Sequence, residues 1–450
     1  MKLYKALNIA RGEVVSLIGA GGKTATLIAL AHELADEGWR VLATTTTRMG
    51  EDQLGLMPYT VDAECGAEVL TQALADQRFV FVRGARRGGK VYGPASEWFG
   101  WALDAVDADA LLIEADNSRH LLLKAPYENE PVIPPETSLV VPMASLAVLG
   151  QPLDDDHVYN PEAMIERYGF YPGAPVLSPW IAQVLRDDEL GLKGVPARAR
   201  VIALLNGAPP TGYLRLRAHL IARMILRSPR VSGVAIGSAR AADPISEVQR
   251  PVAAVVLAAG MSSRMAPLGQ HKVLLPWSGG KTIIEHIIDQ LMLARIDHIT
   301  VVTGSRADEV SALAKARGAE VVFNPDYERG EMLSSLKVGL KAQPSTIAAI
   351  LMVLGDQPRI QAKIVGQVTM AYAEGKGDLI APSYQMRRGH PLLIDRRYWG
   401  ELLDLPDDSA PRAVIRRHEV THVNVDNDSV LHDVDTPQDY RDERFKAGLK

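Results

Sequence analysis

AAVVLAAGMSSRMAPLGQHKVLLP, residues 253–276, decides how the second half of this chain is read. Its opening run, Ala253 to Ala259, is continuously apolar, as a strand buried on both faces of a parallel sheet would be. The run breaks at Gly260 into a loop of small residues that carries Arg264 and ends at Lys272. Small residues let backbone N–H groups come close to an anion, and the guanidinium and ammonium add fixed positive charge. A strand feeding such a loop is suited to cradle a triphosphate. This half is therefore a candidate for phosphoryl or nucleotidyl transfer.

The same rhythm continues towards the C-terminus. Strands are expected near 253–258, 298–303, 319–323, 347–354, 378–382 and 420–424. Helices are expected near 282–294, 306–317, 332–342, 360–373 and 409–417. AAILMVLGDQP (348–358) is an apolar strand ending on Gly355 and Asp356. A carboxylate at the end of a buried parallel strand lies where open α/β sheets bind their ligands. LHDVDTPQDY (431–440) sets Asp433 and Asp435 before a Thr-Pro helix start. In NPDYERGEMLSSLKVGL (324–340), Ser334 and Ser335 open a helix. Their hydroxyls either donate to a substrate or simply serve the helix start, and Asn324 is a turn residue or a ribose contact.

Nucleotidyl transfer explains this set. Negative charge crowds at the α-phosphorus, and Mg²⁺ relieves it while preferring one or two carboxylates plus phosphate oxygens. Asp356 and Asp435 suit that role, with Arg264 and Lys272 holding the β,γ-phosphates and stabilising departing pyrophosphate. The competing possibility is that Asp356 caps the 360–373 helix and Asp435 caps the helix at Pro437.

LAAGMSSRM (257–265), Lys272 with VLLP, LGDQP (354–358), RGHP (388–391) and DVDTPQD (433–439) occur in this order. Together they resemble the molybdenum cofactor cytidylyltransferases within the MobA-like nucleotidyltransferases, over about 252–445. The resemblance implies a Rossmann-like fold and CTP as substrate, with CMP passed to molybdopterin-bound molybdenum and pyrophosphate released. It also implies that Leu257, Ala258, Ala259 and Gly260 line the base and phosphate pocket. His390 would then belong to the substrate pocket, although a structural histidine at a strand start fits equally. Ala258-Ala259 stands where guanylyl-transferring relatives carry Gly-Gly, which favours CTP. Ala266 stands where the family has Gly, and Pro411 sits beside the retained Arg412. A sugar-phosphate acceptor is the alternative within the same fold, and a nucleotide-gated carrier of the cofactor is the alternative outside catalysis.

The first half follows the same logic. VVSLIG (14–19) reads as a strand and KTATLIALAHELADEG (23–38) as a helix, joined by a glycine-rich loop. Strands follow at 39–47, 78–84, 108–116 and 198–207, while the Pro- and acid-rich stretch 125–160 reads as long ordered loops. Gly19, Gly21, Gly22, Lys23 and Thr24 form a compressed phosphate loop of the kind seen in Mur-ligase-like ATPases, suited to ATP or GTP. Thr24 and Asp116 are the expected metal ligands, with Glu114 beside them at a strand end. The bland alternative is a turn with an exposed lysine.

GAGGKT, TTTTR (44–48), EADNSR (114–119), LKAPYENEPVIP (123–134) and Pro161-Glu162 resemble the YqeC-type accessory family of selenium-dependent hydroxylases, over about 9–237. That resemblance implies a role in maturing a molybdenum hydroxylase client and names no reaction. The fold class is thus α/β, with two doubly wound three-layer domains. Residues 1–240 would be P-loop-like and 250–450 a Rossmann-like nucleotidyltransferase, joined by the polar segment 237–251.

Composition bounds the rest. A chain of 450 residues, 47% hydrophobic and 23% charged, has material for two or three full cores. Its net charge of −5, without a basic stripe interleaved with aromatics, argues against a nucleic-acid partner. The lone Cys65 excludes internal disulfides and cysteine-based metal sites and is expected to be a small buried residue. No apolar run reaches membrane-spanning or signal-peptide length, so a soluble cytoplasmic protein is expected.

Overall fold

The computed structural model describes residues 1–268, 271–329 and 332–449, and the side chains of 266–268 are outside that description. Residues 269 and 270 of the Gly260–Lys272 loop, and the side chain of Ala266, therefore lie outside the described residues. The chain divides into two compact units, Met1–Gln249 and Arg250–Lys450.

The first unit is built on nine strands: β1 (Glu13–Gly19), β2 (Val41–Thr45), β3 (Thr60–Asp62), β4 (Phe79–Arg83), β5 (Ala110–Glu114), β6 (Leu139–Ser145), β7 (Arg200–Asn206), β8 (Gly233–Gly237) and β9 (Ile245–Gln249). Their order is β9-β8-β7-β6-β1-β5-β2-β4-β3. All neighbours are parallel except β9, which runs antiparallel to β8. Val15 and Leu17 of β1 join one apolar core, while Val14 and Ile18 join another. Side chains alternate across a strand, so the sheet is buried on both faces and the unit has three layers.

Two expectations fail here. The stretch read as loops contains β6, a fully buried central strand beside β1. Pro142, at its middle, lacks the N–H that a central strand normally donates, which is why the segment did not look like one. The supposed linker 237–251 contains β9, so the first unit ends at Gln249 and not at 240. Ile245 and Val248 pack into the core although ISEVQ looks polar as a string.

The second unit has β10 (Val252–Ala258), β11 (His298–Thr303), β12 (Glu320–Phe323), β13 (Ala349–Leu354), β14 (Leu379–Tyr384), β15 (Arg387–Arg388), β16 (Leu392–Asp395) and β17 (Thr421–Asn424). The order is β12-β11-β10-β13-β16-β14-β15, with β17 also paired to β14. β10 to β13 form the parallel part, and β16 lies antiparallel to β13 and β14. Ala254, Val256 and Ala258 face one core, Ala253 and Val255 the other. The antiparallel β16 was not expected, and the 409–417 helix is reduced to Arg412–Ile415. From β10 the chain runs outward to β11 and β12, then returns on the other side as β13. The sheet therefore reverses direction between β10 and β13, where a crevice opens at their C-terminal ends.

Candidate active site

The crevice at this reversal is a cleft of about 270 Å³. Leu257, Ala258, Ala259 and Gly260 line it as β10 gives way to the loop. Gly355 follows β13, and a Cβ there would come within 2.7 Å of the Leu257 carbonyl, so only glycine lets the two strand ends lie this close. The Gly355 N–H donates to that carbonyl at 3.0 Å.

Lys272 is the centre of the charge network. Its Nζ donates to Asp356 Oδ2 and reaches Asp435 Oδ1 at 3.3 Å. Arg264, whose side chain is 71% exposed, binds the other oxygen of Asp435 at 2.8 Å. The Val434 N–H donates to the Asp356 carbonyl at 2.8 Å, which draws 433–435 against the end of β13. Burial works to lower the pKa of Lys272, but Asp356 and Asp435 outweigh it and hold the ammonium above the ordinary lysine value. Asp433 also lines the cleft. Burial, then the nearby Asp356 and Asp435, raise its carboxyl, against a 2.6 Å hydrogen bond donated by Gln357.

Neither capping alternative survives. The helix Pro437–Lys446 is capped by Thr436, whose hydroxyl accepts from the Asp439 N–H. The helix Ala362–Ala373 begins after Gln361, with no side-chain cap. Asp356 and Asp435 are thus left to face Lys272. Ser334 and His390 fall outside the cleft lining; Ser335 lines it instead. Asn324, fully buried, donates to both serine hydroxyls at 3.0 Å, so Ser334 and Asn324 fasten the start of the helix Met332–Lys341. Burial pushes the His390 ring down to about 4, so it is neutral. Two residues outside the expected set shape the loop. Ser262 Oγ accepts from the Lys272 N–H at 3.1 Å, and His271 Nε2 lies 2.6 Å from the Gly260 carbonyl. Burial lowers the pKa of His271, so its neutral ring donates there.

In the first unit the loop after β1 opens the helix Lys23–Asp36. Gly19, Gly21 and Gly22 have φ of +88°, +84° and +113°. A Cβ on Gly21 would lie 2.3 Å from the Ser145 N, so the loop is locked against β6. Lys23 is not an exposed turn residue: its side chain is 2% accessible. Its Nζ donates to the Gly19 carbonyl at 2.6 Å and to Ser118 at 3.1 Å, and pairs with Asp116 at 3.0 Å. Lys124 holds the other Asp116 oxygen at 3.2 Å, and the Gly19 N–H donates to it at 2.9 Å. Asp116 is thus the counter-ion of two lysines in this structure. Thr24 Oγ1 donates to Glu114 Oε2 at 2.9 Å, and burial raises the Glu114 carboxyl. Asn206, at the end of β7, donates to the Gly21 carbonyl at 2.7 Å. Ser118, Lys124 and Asn206 were outside the expected set, although EADNSR, LKAP and LLNG each displayed one of them.

Comparison with known proteins follows this division. The family model for YqeC protein matches residues 15–162, and that for the MobA-like NTP transferase domain matches 254–423. The chain is 32% identical over 201 residues to the uncharacterized protein YqeC of Escherichia coli, covering 44% of this chain and 76% of that protein. The chain joins a YqeC domain to a MobA-like nucleotidyltransferase domain. Molybdenum cofactor cytidylyltransferase of Escherichia coli is 28% identical over 187 residues, with 41% of this chain and 92% of that protein covered. Nicotine blue oxidoreductase of Paenarthrobacter nicotinovorans is 31% identical over 195 residues, with 41% and 92% covered. The transferase domain carries the Lys272 cleft, and the YqeC domain carries the glycine-rich loop. Among the described residues no group of three or more His, Cys, Asp or Glu is poised as a metal cage. In the transferase domain Asp356 and Asp435 are the carboxylates that could hold a divalent ion, and Mg²⁺ commonly takes that few when phosphate oxygens complete its shell. No helix among the described residues is long and apolar enough to cross a membrane.

Proposed function

We propose that the transferase domain moves CMP from CTP to the terminal phosphate of a molybdopterin-bound molybdenum cofactor and releases pyrophosphate. The observation that carries this reading is Lys272, held between Asp356 and Asp435 at the mouth of a cleft lined by Leu257 to Gly260. The choice of CTP and of this acceptor is supported by the relative named molybdenum cofactor cytidylyltransferase. The triphosphate lies along the Gly260–Lys272 loop. Lys272 exchanges its carboxylate partners for β,γ-phosphate oxygens and stabilises the leaving pyrophosphate, and Arg264 adds a second positive charge from the rim. Asp356 and Asp435 would hold Mg²⁺, which would supply neutralisation of phosphate charge. The acceptor phosphate is already anionic, so no general base is needed.

The YqeC domain binds ATP or GTP at Gly19–Thr24 and prepares or delivers the cofactor for a molybdenum hydroxylase client. Thr24 and Glu114 are its metal-facing groups, and both steps take place in the cytoplasm. Domain fusion would raise the effective concentration for hand-over.

A second reading is favoured by the relative named as an oxidoreductase: the same scaffold serves another small-molecule chemistry. Sugar phosphates are included among the alternative acceptors, and so is carriage of the cofactor without catalysis. A nucleotide panel on the full chain with Mg²⁺, read by pyrophosphate release and product mass, separates these. Pyrophosphate is expected only with CTP and the molybdopterin cofactor together. Equal turnover with GTP overturns the cytidylyl assignment, and no turnover with any nucleotide favours the carrier.

A further inference from the structure

A second cleft, of about 710 Å³, opens in the first unit at the end of β4. It lies on the same sheet edge as the Gly19–Lys23 loop, because β1, β5, β2 and β4 are parallel neighbours. Three interstrand steps separate the two, or about 14 Å. Parallel sheets receive ligands at this edge, and the volume suits a nucleotide-sized molecule.

The lining has two kinds of group. Exposed Tyr92 supplies aromatic surface, and Trp98, packed into the core, forms part of the wall. Arg83, Arg86 and Arg87 supply positive charge, against Asp62 and Glu64. Arg83 is neutralised by Asp62 at 2.8 Å. Arg86 and Arg87 are exposed on a hairpin with Lys90–Tyr92, and neither has a carboxylate partner among the described residues. The hairpin is firmly seated. Lys90–Tyr92 also pairs with Arg48–Gly50, and a Cβ on Gly93 would fall 1.6 Å from the Thr45 carbonyl. The backbone thus packs tightly beneath a cleft whose lining includes Arg86 and Arg87 together with Tyr92 and Trp98.

We infer that this cleft binds a phosphorylated planar heterocycle, with the ring against Tyr92 and Trp98 and the phosphate on Arg86 and Arg87. Guanidiniums bind phosphate bidentately, and aromatic side chains hold a flat ring by stacking or edge contact. The site is distinct from the Gly19–Lys23 loop and stands whether or not that loop holds a triphosphate.

The test uses the full chain and three probes: GMP, guanosine and inorganic phosphate, titrated by calorimetry. GMP is expected to show a binding event that weakens about tenfold or more in the double variant R86A/R87A, partly returns in R86K/R87K, and persists in K23A and in K272A. Guanosine is expected to bind more weakly than GMP and with no response to R86A/R87A. Hydrogen exchange should show GMP protecting residues 84–98 in the parent and not in R86A/R87A, with an unchanged thermal midpoint confirming that the double variant folds. An unchanged GMP isotherm in R86A/R87A overturns the assignment. So does loss of the event in K23A or K272A alone, or inorganic phosphate binding as tightly as GMP.

Discussion

At the scale of single residues, the decisive contrast is between Asp356 as a helix cap and Asp356 as part of the charge network. The helix Ala362–Ala373 starts six positions beyond it with no side-chain cap, and its carboxylate faces Lys272 instead. Asp356→Asn is nearly isosteric, so the fold should persist. Turnover should fall about 10²-fold or more through lost charge stabilisation. Steady-state pyrophosphate release with a Mg²⁺ titration checks this, and a near-normal rate with normal metal dependence would sink the role. Lys272 illustrates the opposite balance of forces. Burial alone would lower its pKa, and two carboxylates instead hold it above the ordinary lysine value, as suits a group meant to meet a triphosphate.

At the scale of elements, β9 shows how a polar-looking strand is held. Glu247 is fully buried in it. Its carboxylate accepts from Arg215 Nε at 2.9 Å and Gln249 Nε2 at 2.7 Å, and meets His219 Nε2 at 2.5 Å. Glu247→Ala should cost about 3–5 kcal/mol, because it strands buried partners without their counter-charge. Denaturant unfolding of the full chain, followed in its first transition, measures this; a loss under about 1 kcal/mol would contradict it. The pH dependence has a definite sign. Burial raises the Glu247 carboxyl, but His219 and Arg215 prevail, so its folded pKa lies below the ordinary 4.5. Its contribution is present above pH 4.5 and is lost as pH falls through the lowered value. The variant's acid limb should therefore be shallower than the parent's.

At the scale of the whole molecule, two units with separate cores imply two separable activities. Fragments 1–249 and 250–450 should each fold, shown by circular dichroism and a cooperative thermal transition. Both being insoluble would contradict the division. Cutting after Arg240, in the exposed turn between β8 and β9, should not release β9, whose main chain stays paired with β8. Lys23→Ala should abolish ATP and GTP binding by the YqeC fragment and leave pyrophosphate release by the full chain unchanged. In cells, hydroxylase maturation should fail although the dinucleotide cofactor is made. Unchanged nucleotide binding in Lys23→Ala would return the glycine-rich loop to a structural turn.

Much of this was legible in the string of residues. Continuous apolar runs marked β1, β10 and β13, because strands buried on both faces need no alternation. The glycine loops and the carboxylates at strand ends were visible because their motifs are local. Other features needed the folded chain. β6 and β9 exist because of what lies beside them in the sheet. Whether Asp435 or Thr436 caps the last helix depends on side-chain placement that spacing leaves open. Lys272 meets Asp356 across 84 residues of sequence, and Lys23 meets Ser118 across 95. Asp116 pairs with Lys23 and Lys124, partners that the sequence alone does not reveal. Local pattern determines which segments form strands, loops and helices. Charge partners and burial are set by non-local contacts, and only the tertiary structure decides those.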